Sequence, residues 1–302
     1  MSATVTVDRQ VERPRAPRRR RRTVPRAIRR RRLLVAVAEN SVLIALVIAF
    51  LAPLVFIALT SLMTNDQALS PKLWPEPFRL SNYADVFDKA PMLRYALNTA
   101  IYSVLATLGM LVSSIPVAYA LALLRWRGRQ VVFLLVLVAM MLPPQVTIVP
   151  LYVFWAKLNL VGSLAPLIIP NWFGDAFSIF LLRQFFMTIP QPYLDSARVD
   201  GLGELKILLR VVVRLAKPAI AAVALFMFLL TFSDFFGPLL YAGDDEANWT
   251  LSLGLAQFRV LHQVQWNLTM AATILVITPV ILLFFFAQKA FVEGVTLTGV
   301  KG

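Results

Sequence analysis

Few side chains in this sequence are able to do covalent chemistry. There is one histidine, His262, and no cysteine. The chain therefore has no thiolate nucleophile, no disulfide and no cysteine ligand for a metal. His262 stands in RVLHQVQWN with no carboxylate cluster near it, so neither a zinc site nor a Ser/His/acid triad forms around it, and it reads as an ordinary surface residue. Two acids are conspicuous for their surroundings instead: Asp175 in NWFGDAFSIF and Asp234 in LLTFSDFFGPLL. A carboxylate in hydrocarbon costs at least about 3 kcal/mol, so each has to meet a polar cavity or a partner. Asp175, mid-run beside Asn171 and Trp172, is expected to face a polar interior. Asp234 lies near the end of its run, within reach of water. A proton relay needs a second acid or histidine at helical spacing, and Asp175 has none. The remaining concentration of charge is the segment 189–218, IPQPYLDSARVDGLGELKILLRVVVRLAKP, with three acids and five bases in a chain only 15% charged.

The elements that must position these residues follow from composition. Of the 302 residues 59% are hydrophobic, and the mean hydropathy is +0.71. A soluble domain carries about 25% charged residues, so this chain lacks the polar surface a water-soluble globule needs. It is expected to be an all-α integral membrane protein. A hydrocarbon core about 30 Å thick takes roughly 20 apolar residues of helix. Six candidate spans result: 41–62, 96–124, 131–155, 164–186, 219–241 and 268–286. Residues 1–32 hold thirteen arginines against Asp8 and Glu12, and are expected to form a disordered cytoplasmic arm lying against anionic lipid rather than nucleic acid. The six-span domain then occupies 33–302. The arm, the Arg125–Arg127–Arg129 turn and the segment 189–218 are basic and alternate with balanced or acidic loops, which puts both termini in the cytoplasm. Prolines at 116, 143, 144, 150, 166, 170, 238 and 279 predict kinked spans, whose freed carbonyls need protein or a water-lined cavity. Asn248 and Asn267 match the glycosylation tripeptide, a common chance pattern.

Within the charged segment, Pro190 and Pro192 suit a first helical turn and Asp195 suits the positive end of a helix. Asp200-Gly201 is a turn pair, with Gly203 close behind. Leu205, Leu208 and Leu209 then recur at helical spacing. The pattern predicts a short helix, a tight turn and a second helix returning to the membrane, a shape suited to docking.

These residues resemble the EAA loop of ABC-transporter permeases. The likeness rests on Ile189-Pro190, Leu194-Asp195-Ser196-Ala197, Val199-Asp200-Gly201-Leu202, Arg210-Val211 and Leu215-Ala216-Lys217-Pro218. It is most similar to the carbohydrate-uptake branch with the maltose and glycerol-3-phosphate permeases. LNTAIYS, MLPPQVTIVPLYVFWAKLNL, FLLRQFFMTIP and FVEGVTLTGVKG are similar to further family landmarks, in order along nearly the whole chain. Four positions depart: Asp195 stands where Glu is usual, Ser196 and Leu202 where Ala is usual, and Arg214 where Pro is usual. The resemblance implies a coupling helix between the fourth and fifth spans, with Leu194, Asp195, Ser196, Ala197, Asp200, Gly201, Leu202 and Leu205 engaging a separate ATPase subunit. It implies a multi-pass protein of a prokaryotic plasma (inner) membrane that imports a sugar or polyol by alternating access. The implied partners are a second related permease, two ATPase subunits and an extracytoplasmic substrate-binding protein. ATP and Mg would belong to the ATPase subunits, because no G-x-x-x-x-G-K-[ST] occurs here and GLGELK is too short. This chain is then a transport subunit, not an enzyme. Position and chemistry nominate Asn98, Asn171, Trp172, Asp175 and Asp234 for the substrate path. The rival is an ion-gradient-driven secondary transporter, which would call for internal repeats and paired intramembrane ionisable groups.

Overall fold

The computed structural model describes residues 26–243, 245–261 and 265–299, and every regular element among them is helical. Two compact units divide the chain, 1–54 and 55–302. The first unit holds most of helix α1 (Arg26–Thr60), whose stretch Glu39–Thr60 is long and apolar enough to cross a membrane. Side chains 39–54 are exposed, as on a helix meeting lipid all round. Arg26–Arg32, placed in the arm from composition, are the first turns of this helix. Residues 1–25 and His262 lie outside the described residues.

The second unit is built around α2 (Met92–Ala122), which packs along α5 (Ala176–Phe186) and α8 (Lys217–Phe232). Between α2 and α5 come α3 (Arg129–Met141), α4 (Pro144–Lys157) and a short helix with a 3₁₀ turn over Ala165–Ile168 and Ile169–Phe173. Beyond α5 follow α6 (Gln191–Val199) and α7 (Glu204–Leu215), then α8, α9 (Phe236–Tyr241), α10 (Leu251–Leu261) and α11 (Trp266–Gly299). Ala106, Met110 and Ala118 of α2 are fully buried. Small residues at such positions let helices approach closely, the main source of packing energy where lipid is as apolar as leucine.

Four helices span by length and composition: Glu39–Thr60, Met92–Ala122, Ala165–Phe186 and Trp266–Phe285. The other two expected spans are not straight rods. Instead of one helix over 131–155, α3 and α4 meet at 93°. With 13 and 14 residues, each is about 20 Å long, short of the hydrocarbon thickness. Adjacent Pro143 and Pro144 are the cause, since neither has an N–H and the carbonyl of Met140 meets a proline at both i+3 and i+4. The expected helix over 219–241 stops at Phe232, and α9 starts at Phe236. Helix α7 meets α8 at 82°. Lys206, Arg210 and Arg214 make α7 a poor membrane crosser, so this bend is where the charged segment turns into the apolar α8.

Candidate functional site

The charged segment folds into α6, a turn at 200–203, and α7. Pro190 precedes α6 in extended geometry, and Pro192 sits in the first turn, where a missing N–H is harmless. The helix ends in a left-handed glycine, Gly201 at φ +78°. The N–H of Leu202 bonds the carbonyl of Ala197 (3.0 Å), and the N–H of Gly201 bonds that of Arg198 (3.0 Å). This is the Schellman arrangement, and half-buried Leu202 supplies its apolar contact. Leu194 and Ala197 are buried in the apolar core that includes Tyr119, Leu123, Phe186 and Ile207. Tyr193, Asp195, Ser196, Val199, Asp200, Gly201 and Leu205 are exposed, Val199 at 87%. The expected stripe Leu205–Leu208–Leu209 is split: Ile207, Leu208 and Val212 face inward, Leu205 and Leu209 outward. A π-helical turn over Leu208–Val212 moves the buried face by a residue.

One polar chain ties this segment to α2. Arg198 contacts Asp195 (3.1 Å) and Glu204 (2.9 Å). The other oxygen of Glu204 accepts the hydroxyl of Tyr119, in the last turn of α2. The guanidinium of Arg198 and the Tyr119 hydroxyl hold the Glu204 carboxyl below the usual glutamate range, and hydrogen bonding to Glu204 raises Arg198 above its usual value. The group borders an open cavity of about 820 Å³ whose lining also includes Arg125, Trp126 and Gln191.

A second polar region gathers where the fourth and fifth spans break. Gly174 (φ +103°) interrupts the fourth, and Asp175 caps α5 by accepting the N–H of Ser178 (2.7 Å). The N–H of Asp175 reaches Ser114 Oγ (3.2 Å), and Ser113 Oγ donates to the carbonyl of Asn171 (3.2 Å). Trp172 lies on Gly109, where an added Cβ would stand 2.4 Å from the indole. Asp175 and Ser178 border a mostly apolar cavity of about 240 Å³, with Phe177, Val223, Met227 and Leu230. Asp234 sits in the break after α8. It accepts the hydroxyl of Tyr102 (2.9 Å) and the N–H of Gly237 (3.0 Å). Gly237 itself abuts Leu167 of the fourth span.

Asn98 stands apart from these residues. Buried near the start of α2, it donates to the carbonyls of Ala247 (2.8 Å) and Trp249 (2.9 Å). Eleven positions separate it from Gly109, about 16 Å along a helix. Tyr95 donates to Glu246 of the same loop, and Thr99 accepts the N–H of Leu251 (2.8 Å). Both glycosylation-type asparagines are held: Asn248 donates to Gly162 (2.7 Å), and buried Asn267 to Asn82 (3.2 Å). Tyr95, Tyr102 and Tyr119, all three tyrosines of α2, thus reach carboxylates on three other segments. Sequence reasoning missed them, although a tyrosine in an apolar helix needs a partner for its hydroxyl. Searching for an acid for each would have linked Asp234 and Glu204 to α2.

Comparison with known proteins agrees with this architecture. Residues 114–297 match the family model described as "Binding-protein-dependent transport system inner membrane component". The arabinooligosaccharides transport system permease protein AraQ of Bacillus subtilis (strain 168) is 30% identical over 258 residues, 84% of this chain and 91% of that protein. The sn-glycerol-3-phosphate transport system permease protein UgpE of Brucella abortus (strain 2308) is 28% identical over 264 residues, 84% of this chain and 92% of that protein. The crystal structure of a bacterial ABC transporter involved in the import of the acidic polysaccharide alginate shares the fold. Its TM-score is 0.78 at 24% identity, over 89% of this chain and 99% of the solved one. With its spanning helices, two bent pairs and the matched stretch, this chain belongs to the family of inner-membrane permease components of binding-protein-dependent transport systems.

Proposed function

We propose that this chain forms half of the translocation path of an ATP-driven importer of a sugar, an oligosaccharide or a polyol derivative. The observation that carries the reading is the α6–turn–α7 segment. Its base is buried through Leu194, Ala197 and Ile207, while Tyr193, Asp195, Ser196, Val199, Asp200, Gly201 and Leu205 project outward. A rigid base beneath an exposed apolar and acidic tip suits a cleft on an ATPase subunit, which binds ATP and Mg. Of the residues proposed for coupling, Leu194, Ala197 and Leu202 anchor the element, while Asp195, Ser196, Asp200, Gly201 and Leu205 meet the partner. The complex has a second permease, two ATPase subunits and an outer binding protein, with both termini of this chain in the cytoplasm and the arm of residues 1–32 against lipid.

The carbohydrate class rests on relatives such as AraQ and UgpE. In the membrane, backbone without donors belongs against protein or water rather than lipid. The breaks at Pro143–Pro144, 171–175 and 233–235 therefore line the path. Asn171, Trp172, Asp175 and Asp234 are its polar and aromatic groups, and Asn98 fastens the outer loop beside it. Asp175 bonds to an N–H, and Asp234 to a tyrosine hydroxyl and an N–H, rather than to a second carboxylate or a histidine as in the usual proton relay.

Gly201→Glu tests the docking surface. Nothing lies within 4 Å of a Cβ at this position, so the fold bears about 1–2 kcal/mol of backbone strain, and the added bulk and charge fall on the partner. The assembled transporter, offered labelled mono- and oligosaccharides and glycerol phosphate, should lose uptake with Gly201→Glu and keep it with Gly201→Asn, which tolerates the left-handed conformation. Normal uptake by Gly201→Glu overturns the reading.

A further inference from the structure

We infer that Tyr119, Glu204 and Arg198 form a latch through which the docking segment drives α2, making them positioning residues for energy coupling. The inference rests on the docking role proposed above. An element pushed by a motor moves a span only as far as the contacts between them resist shear. Leu194 and Ala197 share an apolar core with Tyr119 and Leu123, but apolar contact has no direction of its own. The polar chain supplies direction. Glu204, the first residue of α7, accepts from Tyr119 of α2 on one oxygen and from Arg198 of α6 on the other. A single carboxylate thus joins both arms of the docking segment to α2.

The surroundings suit a load-bearing contact that also releases. An open cavity bordered by Arg125, Trp126 and Gln191 lies beside it. Its charged members are partly exposed, with side-chain accessibilities of 35% for Arg198 and 45% for Glu204. Water can solvate them as they part, so opening carries no penalty of an unpaired buried charge. Higher on α2, Tyr102 makes the same kind of bond to Asp234 at the fifth-span break. Motion imposed at Tyr119 therefore reaches the break along one helix.

The test uses the whole transporter in nanodiscs, purified through this chain, and exploits a sequence without cysteine. Spin labels go on exposed Lys206→Cys of α7 and exposed Val112→Cys of α2. Their separation is measured without nucleotide and with ADP–vanadate, in the otherwise native chain, in Tyr119→Phe and in Glu204→Gln. Losing a bond between such partly exposed groups lowers the latched-to-unlatched ratio about two- to fivefold. The native chain is expected to hold one narrow distance in both states. In the variants the ATPase should still copurify and hydrolyse ATP, while the distance broadens on trapping and ATP-driven uptake falls about two- to fivefold. If the variants retain the ATPase and the same narrow distance, the latch is refuted and the docking reading survives. If only the variants lose the ATPase, the residues shape the docking surface and the latch is refuted as well. If the native chain brings down no ATPase, the docking reading falls first and the latch with it.

Discussion

The hydroxyl of Tyr102 lies 2.9 Å from Oδ2 of Asp234, joining the middle of α2 to the break between α8 and α9. Asp234 also accepts the N–H of Gly237, so the acid bridges α2 and the first turn of α9. Tyr102→Phe leaves that carboxylate oxygen without its protein donor, a loss of about 1–3 kcal/mol. Asp234→Asn keeps the size: its one amide oxygen can accept the Gly237 N–H, and its amide N–H can donate to the Tyr102 hydroxyl oxygen. We expect the thermal midpoint of the purified complex to fall for Tyr102→Phe and to fall less for Asp234→Asn. An unchanged midpoint for Tyr102→Phe would show that the bond contributes no stability.

Gly109 offers a steric test of the fourth-span break. A methyl group there would overlap the indole of Trp172, which lies within 2.6 Å of the Cβ position. Gly109→Ala favours the helix by up to about 1 kcal/mol but displaces the ring, and overpacking of this kind costs about 1–3 kcal/mol. The expected outcome is a net loss of stability together with altered Trp172 fluorescence. Adding Trp172→Ala in the same chain should restore the stability.

The charge pair at Glu204 has a defined acid limit. Its folded value lies below the ordinary glutamate value, so its stabilisation is complete above that ordinary value and is lost as pH falls through the lowered one. The groups facing it are Tyr119 from α2 and Arg198 from α6, with Asp195 beyond Arg198 and Arg125 across the cavity. The separation of labels on α2 and α7 should therefore hold from about pH 8 to about pH 5 and change only in stronger acid. Arg198→Ala removes the main cause of the lowering and should move that change toward neutral pH.

Four of the six expected spans were legible as single helices because hydrocarbon admits helices and little else, so twenty-residue apolar runs declare themselves. The helix–turn–helix of 189–218 was legible for a local reason as well. Proline at a helix start and Asp-Gly at its end act within one turn of chain. Other features needed the fold. Pro116 lies within an unbroken α2, whereas Pro143 and Pro144 bend their helices by 93°, so proline by itself does not say which span breaks. Asp175 and Asp234 were legible as acids in greasy surroundings, but their partners, Ser178 N–H and Tyr102, follow from where helices end and which helices meet. Asn98 and Asn171 look alike as polar residues in apolar runs. The first holds the 245–250 loop, and the second bonds the Leu167 carbonyl of its own turn opposite Ser113. The sequence by itself determined the membrane class, most of the helices and the exposed helix–turn–helix of 189–218, because those depend on transfer free energy and local turn chemistry. Tertiary structure alone decided that three tyrosines of one helix would meet carboxylates 85, 132 and 151 residues away, because a hydrogen bond needs two groups within about 3 Å, and chain separation carries no information about that distance.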